Sequence, residues 1–172
     1  MKCSRHFRGA LCALIVLTSG CERKVPAAVV PADVISLIHA IDEGDRAKLK
    51  MLLDAGAAPT PHDSPLSPIH AAITHFQGGK VECDSEALTL LLDHKADPNF
   101  VEPDSGFSPR EDALSMGDML CAAKLKKAGA NLYQHGQSGQ SALQFAVKGA
   151  VRTGDTSILK LVLSLGGRSE HS

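Results

Sequence analysis

The chain has 172 residues, which is enough for one domain or one short row of structural repeats. It contains no Trp, one Tyr and five Phe, so a core would have to be built from small and branched aliphatic side chains. The formal net charge is −1 and no stripe of Lys and Arg runs along the sequence, which argues against nucleic acid as a partner.

The first twenty residues are predicted to be a targeting segment and not part of the fold. Three basic residues, Lys2, Arg5 and Arg8, precede a short apolar stretch over residues 10–17. That stretch is far below the roughly 20 apolar residues that a helix needs to span a bilayer. Small residues then lead directly to Cys21.

This arrangement resembles the signal of bacterial lipoproteins, which is cleaved just before a cysteine whose sulfur is then acylated. The resemblance implies a signal peptide over residues 1–20, lipid on Cys21, and a tether over residues 21–32. The signal usually has Leu three residues before the cysteine, whereas Thr18 stands there in this chain. The alternatives are an ordinary secretory signal that is cut elsewhere, or an anchor that is not cleaved.

The residue after the lipidated position predicts where the protein resides. It is Glu22 and not Asp, which in bacteria with two membranes resembles the class sorted to the outer membrane. We therefore expect a protein held in the lipid bilayer of the cell envelope through acylated Cys21 and facing the periplasm. Cleavage removes three basic residues and no acidic ones, so the mature chain would carry a net charge of −4.

The rest of the chain repeats a unit of two short apolar helices. The clearest copy is Ser67–Asn99, in which Ser67 suits a helix N-cap and Pro68 suits the first helical position. A unit of this size is stable only when copies of it stack side by side. The other copies align on one alanine each: Ala40, Ala113 and Ala146.

These copies resemble the ankyrin repeat, which has a period of about 33 residues and a T-P-L-H-x-A opening. The closest match is Ser67–Ala72, and the third copy retains Ser108-Pro109. The resemblance implies an all-α fold, an ankyrin-repeat solenoid of about four helix-turn-helix repeats with short link turns. It also implies a turn bond between the hydroxyl of Ser67 and the imidazole of His70. The expected domain covers residues 33–167, with repeats at about 33–60, 61–99, 104–132 and 137–167 and a tail at 168–172.

Three local features give further expectations. Asp33 is predicted to cap the first helix. The segment Phe76–Glu82, inserted between the two helices of its copy, is predicted to be a flexible loop, because its Gly78-Gly79 pair lacks the context of a phosphate-binding loop. The charged residues of the third copy are typical of solvated helix faces: residues 110–112 near its opening, and Lys124, Lys126 and Lys127 on its second helix.

Two cysteines remain in the predicted domain, Cys83 and Cys121. An oxidising periplasm would allow them to pair, and neighbouring helices would place them near the edge of disulfide reach. The favoured interpretation is that both are small apolar side chains that pack without pairing.

No constellation of catalytic or metal-binding residues stands out. There is no G-x-S-x-G motif, and no pair of carboxylates lies in an apolar setting. Among the eight histidines, His70 and His75 are five residues apart, which does not place them on one helix face as a zinc site would require. We therefore expect a protein that is not an enzyme and that has no cofactor and no metal.

Ankyrin-like stacks hold other proteins on an extended concave surface made of link tips and the faces of first helices. Exposed aromatic and polar residues in such links suit recognition, although any one of them could instead only close a turn. The candidate protein-binding residues are Pro61, His62 and Asp63 in the first link, Phe100, Val101, Glu102 and Asp104 in the second, and Tyr133, Gln134, His135 and Gln137 in the third.

The resemblances favour a binding protein. Small exported ankyrin-like lipoproteins resemble immunity proteins, which neutralise a toxin that attacks the cell envelope. The alternative is an envelope scaffold or a helper for a periplasmic enzyme, such as one in oxidative-stress defence.

Overall fold

The computed structural model describes residues 32–61, 64–103, 105–131 and 139–166. The predicted signal peptide, the lipidated Cys21, nearly all of the tether and the tail therefore lie outside the described residues. Within the described ranges the chain is mostly helical, with one small pair of strands, so the prediction of an all-α class is confirmed.

Eight helices and one β-hairpin follow one another in the described part of the chain. The helices are α1 (Ala32–Asp42), α2 (Arg46–Asp54), α3 (Pro68–Ile73), α4 (Ser85–Asp93), α5 (Pro109–Met116), α6 (Met119–Lys127), α7 (Ala142–Thr153) and α8 (Ser157–Gly166). The strands are β1 (His75–Gln77) and β2 (Lys80–Glu82), which lie between α3 and α4.

The helices pack in two rows. Each odd-numbered helix contacts the even-numbered helix that follows it, from α1 with α2 to α7 with α8. The odd helices also contact one another in chain order, and the even helices do the same. Each interior pair is therefore covered by a pair on either side.

The beginnings of the helices are set by side chains that accept hydrogen bonds from free backbone N–H groups. Three even helices begin after an aspartate cap: Asp45 accepts from the N–H of Lys48, Asp84 from Ala87 and Asp118 from Cys121, at 2.9–3.0 Å. Capping boxes open α5 and α7, with Ser108 paired to Glu111 and Ser141 to Gln144. Asp33, which was expected to cap α1, instead lies inside its first turn, where its carboxylate is 3.5 Å from the amide nitrogen of Ala58.

The core is built from aliphatic side chains, as the composition predicts. Leu37, Leu49, Leu88 and Leu125 are completely buried in it, together with many alanines. Burying a leucine side chain contributes about 1.5–3 kcal/mol, so these contacts stabilise helices that are too short to persist alone. Phe145 is the one aromatic side chain that is fully buried among the described residues.

The inserted segment is a β-hairpin, so the prediction of a flexible loop was wrong. β1 and β2 pair antiparallel, with Phe76 opposite Val81 and Gln77 opposite Lys80. The connecting glycines have φ angles of 61° and 85°, and positive φ at both central residues is the requirement of a two-residue turn that matches the twist of the strands.

Cys83 and Cys121 form a disulfide, so the favoured interpretation of two unpaired packing residues was wrong. Cys83 directly precedes the cap of α4, and Cys121 lies in the first turn of α6. Because α4 and α6 pack together, the two Cα atoms are only 6.5 Å apart. This separation lies within the usual range for a disulfide.

Reducing this disulfide is expected to destabilise the protein. The bond closes a loop with a sequence separation of 38, and removing such a constraint from the unfolded chain lowers the free energy of unfolding by about 3–4 kcal/mol. Urea unfolding with and without a reductant measures this. The double variant Cys83→Ser/Cys121→Ser is the control, since its stability should not respond to the reductant. An unchanged midpoint for the reduced wild-type protein would contradict the prediction.

Gly149 allows α7 to lie close against α5. A Cβ atom at this position would overlap the carbonyl oxygen of Leu114 and lie 2.8 Å from the backbone nitrogen of Gly117. Both of these are backbone atoms, which cannot move aside as the end of a flexible side chain could.

Gly149→Ala is therefore expected to lower the free energy of unfolding by about 1–3 kcal/mol, even though alanine favours helix formation. Thermal or urea unfolding measures the change. Val151→Ala on the same helix is the control, because Val151 is 81% exposed and its truncation should change stability by less than about 0.5 kcal/mol. Equal stability of the two variants would contradict the predicted close contact.

Candidate protein-binding site

Four of the eleven predicted protein-binding residues lie in the described part of the chain. Pro61 is buried, so its prediction as a contact residue was wrong, since a partner cannot reach it. Phe100, Val101 and Glu102 are each partly exposed. The remaining seven lie outside the described residues: His62, Asp63, Asp104, Tyr133, Gln134, His135 and Gln137.

Hydrogen bonds tie the links that follow α2, α4 and α6 to one another. The N–H of Asp97 donates to the hydroxyl of Thr60 at 2.7 Å. The N–H of Asn131 donates to the side-chain oxygen of Asn99 at 2.7 Å, and the amide of Asn99 donates to the carbonyl of Gly129 at 3.3 Å. These bonds hold the links at fixed positions relative to the helices.

His70 is a buried structural residue, but it does not make the predicted bond to Ser67. The Oγ of Ser67 and the Nδ1 of His70 are both buried, and neither has a hydrogen-bond partner among the described residues. Nε2 of His70 instead lies 2.9 Å from the carbonyl oxygen of Phe107, to which it donates. Burial lowers the pKa of His70, so the ring is neutral, with its proton on Nε2 and an acceptor at Nδ1.

A cleft of about 340 Å³ opens beside His70, across the row of odd helices. Its lining comes from three successive helix pairs. The lining residues are Ile38 from α1, Leu66, Ser67, His70, Ala71 and Thr74 at or beside α3, Glu102 and Ser105 from the link before α5, and Asp112 from α5. The lining thus combines apolar side chains with hydroxyl groups and two carboxylates.

For the charged run over residues 110–112, the prediction of a solvated helix face was wrong, whereas Lys126 and Lys127 on α6 are exposed, as predicted. Arg110 and Glu111 are 2% and 0% exposed, and their charged groups approach to 3.6 Å. Glu111 also accepts hydrogen bonds from the backbone and hydroxyl of Ser108 at 2.8 and 3.0 Å. The S-x-x-E spacing of a capping box was the sequence signal that would have indicated a fixed position for Glu111.

Asp112, the third residue of that run, lies at the cleft with an unusual protonation equilibrium. Burial, together with the negative charges of Glu102 and Glu111, raises the pKa of this carboxyl to about 7. The nearest cationic candidate, Nε2 of His70, is 3.7 Å from its Oδ2, but the His70 ring is neutral. Sequence reasoning did not identify Asp112 as a site residue, because its position beside His70 depends on the packing of α5 against α3, which no local pattern shows.

A second cleft, of about 500 Å³, lies beside the hairpin. It is lined by Lys80, Val81, Glu82, Cys83, Met116, Gly117, Asp118, Arg152 and Thr153. Its charges are of both signs, and Arg152 donates hydrogen bonds to the carbonyl groups of Ser115 and Met116.

Asp118 and the two cysteines bring three possible metal-ligand atoms within 4.8 Å of one another. Metal binding by cysteine requires a thiolate, and the disulfide occupies both sulfur atoms. The oxidised protein therefore presents no thiolate at this position.

No family model matches the chain, and no curated protein matches it either. The longest helix in the described ranges, α7, has 12 residues, and none of the described helices combines the length and apolar character needed to cross a bilayer.

Replacing Asp112 should change how stability depends on pH. The folded-state pKa of about 7 lies above the ordinary 3.8, so the folded chain holds a proton that the unfolded chain has lost between these values. Stability therefore falls as the pH rises from about 4 to about 7. Asp112→Asn should remove this fall and raise the free energy of unfolding at pH 8 by about 2–4 kcal/mol.

Urea unfolding at several pH values tests this expectation. Asp93→Asn, at an exposed position on α4, is the control and should keep the wild-type slope. Parallel profiles for wild type and Asp112→Asn would contradict the raised pKa. His70 contributes with the opposite sign, because its lowered pKa weakens the fold as the pH falls through about 6.5.

Proposed function

We propose that the chain is an ankyrin-repeat protein that binds another protein and has no catalytic activity of its own. Support for the repeats comes from four helix pairs in succession, whose odd and even helices pack in separate rows. The aspartate caps of α2, α4 and α6 recur at the equivalent position of three pairs, which also favours a repeated unit.

One observation carries the binding role. The 340 Å³ cleft crosses three successive odd helices, which is the side of an ankyrin-like stack where partners bind. Its carboxylates and hydroxyls can orient a partner, and its apolar residues can contribute burial. A mildly acidic mature chain is compatible with a protein partner and disfavours nucleic acid.

We propose further that the protein is exported and is anchored in the cell envelope through acylated Cys21, on the periplasmic side of the outer membrane. The disulfide between Cys83 and Cys121 supports export, because such bonds persist in the periplasm and are rare in the cytosol. Several acyl chains on one protein would give lasting attachment to a bilayer.

Labelling with a palmitate analogue tests the anchor. Wild-type protein should carry the label and sediment with the outer-membrane fraction, whereas Cys21→Ser should be unlabelled and should not follow that fraction. Cys83→Ser/Cys121→Ser is the matched control and should remain labelled. A wild-type protein without label would overturn the lipoprotein proposal.

The partner that we propose is a toxin that attacks the cell envelope, which would make this chain an immunity protein. A strain lacking the protein should then be killed by the cognate toxin and grow normally without it. Survival under toxin attack would contradict immunity. Reduced activity of a periplasmic enzyme in the same strain, without any toxin, would instead favour the helper role.

A further inference from the structure

We propose that the cleft across α1, α3 and α5 receives a basic side chain of the partner protein, whose charged group pairs with Asp112 and Glu102. This inference rests on the proposed protein-binding function and names the chemistry that the partner must present. The cleft residues that carry it are Ser67, His70, Glu102 and Asp112, together with an apolar group formed by Ile38, Leu66 and Ala71.

The first argument is that the negative charge of the cleft is not balanced by a basic side chain in its described lining. Of the residues that the structure describes, the lining contains two carboxylates and no Lys or Arg. Glu111, which adds to the field at Asp112, is itself close to Arg110, but that guanidinium lies 98% buried and is not part of the lining. A cation that enters the cleft from outside would meet a favourable potential without displacing an existing basic side chain.

The second argument is independent of charge. Ser67 is 98% buried and lines the cleft, yet its hydroxyl has no hydrogen-bond partner among the described residues. The Nδ1 of His70 likewise has no hydrogen-bond partner among the described residues. It is an acceptor, because the ring carries its proton on Nε2, which donates to the carbonyl of Phe107. Buried polar atoms are nearly always satisfied in folded proteins. The Ser67 hydroxyl, which can donate and accept, and the Nδ1 of His70, which accepts, therefore leave room for the N–H groups of a molecule bound in the cleft.

A basic side chain supplies what both arguments require. An ammonium has three N–H donors and a guanidinium has five, which is enough to serve the carboxylates and the hydroxyl together. Ile38, Leu66 and Ala71 offer apolar contact for the methylene stem that carries the charged group. The raised pKa of Asp112 would then fall on binding, since a nearby positive charge favours the ionised carboxyl.

A pentapeptide tests this recognition without requiring the natural partner. The probe is acetyl-Gly-Gly-Arg-Gly-Gly-amide, and the matched control has citrulline, which is neutral and of nearly the same shape, in place of arginine. Both peptides are titrated into the full chain in detergent micelles while NMR follows the signals of Ile38, Ala71 and Thr74. The arginine peptide should shift these signals in a saturable way, and the citrulline peptide should bind about tenfold more weakly or not at all.

Single variants locate the interaction. Asp112→Asn and Glu102→Gln should each weaken the arginine peptide about fivefold or more, and raising the ionic strength should weaken it in wild type. Glu86→Gln is the matched control, because Glu86 has an 81% exposed side chain outside the cleft, and it should leave binding unchanged. Circular dichroism establishes that each variant is folded.

Several results would overturn the inference. These are equal binding of the two peptides, shifts that do not saturate, and loss of binding in Glu86→Gln to the same extent as in Asp112→Asn. Calcium that shifts the same signals at lower concentration and displaces the peptide would show that the cleft is a cation site for metal, which also contradicts the proposal.

Different results would contradict the inference about the cleft and the proposed function. If the immunity partner binds wild type and the double variant Glu102→Gln/Asp112→Asn equally well, the cleft does not recognise a basic side chain, while the binding function stands. If deletion strains survive the toxin although the arginine peptide binds the cleft selectively, the immunity role is wrong and the recognition chemistry stands.

Discussion

The structure depends on helices that are too short to be stable alone. The described helices have 6 to 12 residues, and isolated helices of that length are marginal in water. Each helix therefore needs the apolar sides of its neighbours, and the two rows provide them continuously from α1 to α8. Because the stabilising contacts run from one pair to the next, the arrangement leaves the links and the outer sides of both rows available for polar and charged residues.

This constraint explains why the charged cleft lies where it does. The odd helices approach closely enough to bury apolar side chains, but the links that precede α3 and α5 add Ser67 and Glu102 at the edge of that contact. Asp112 is drawn into the partly buried region because α5 must pack against α3. The unusual pKa of its carboxyl is thus a consequence of the same packing that stabilises the helices.

Local features could be predicted from the sequence more readily than features that depend on distant residues. The repeated pattern of two short apolar helices, and its resemblance to the ankyrin repeat, predicted the all-α class. The hairpin was missed because Gly78-Gly79 suits a flexible loop, although two glycines between short strands are also typical of a tight turn. The disulfide could not be decided, since the expected spacing of neighbouring helices spans the limit for bonding. The position of Asp112 beside His70 depends on a residue from another helix pair, which no local pattern reveals.

The disulfide has a consequence for how the molecule opens. It joins the second helix pair to the third, whereas the first and fourth pairs are held by noncovalent contacts in the described chain. Fluctuations should therefore be largest at the two ends and smallest in the middle, so that amide hydrogens near the cystine exchange last. An oxidising compartment would in this way stiffen the centre of the row, where α3 and α5 bring His70 and Asp112 together, without restricting the terminal helices.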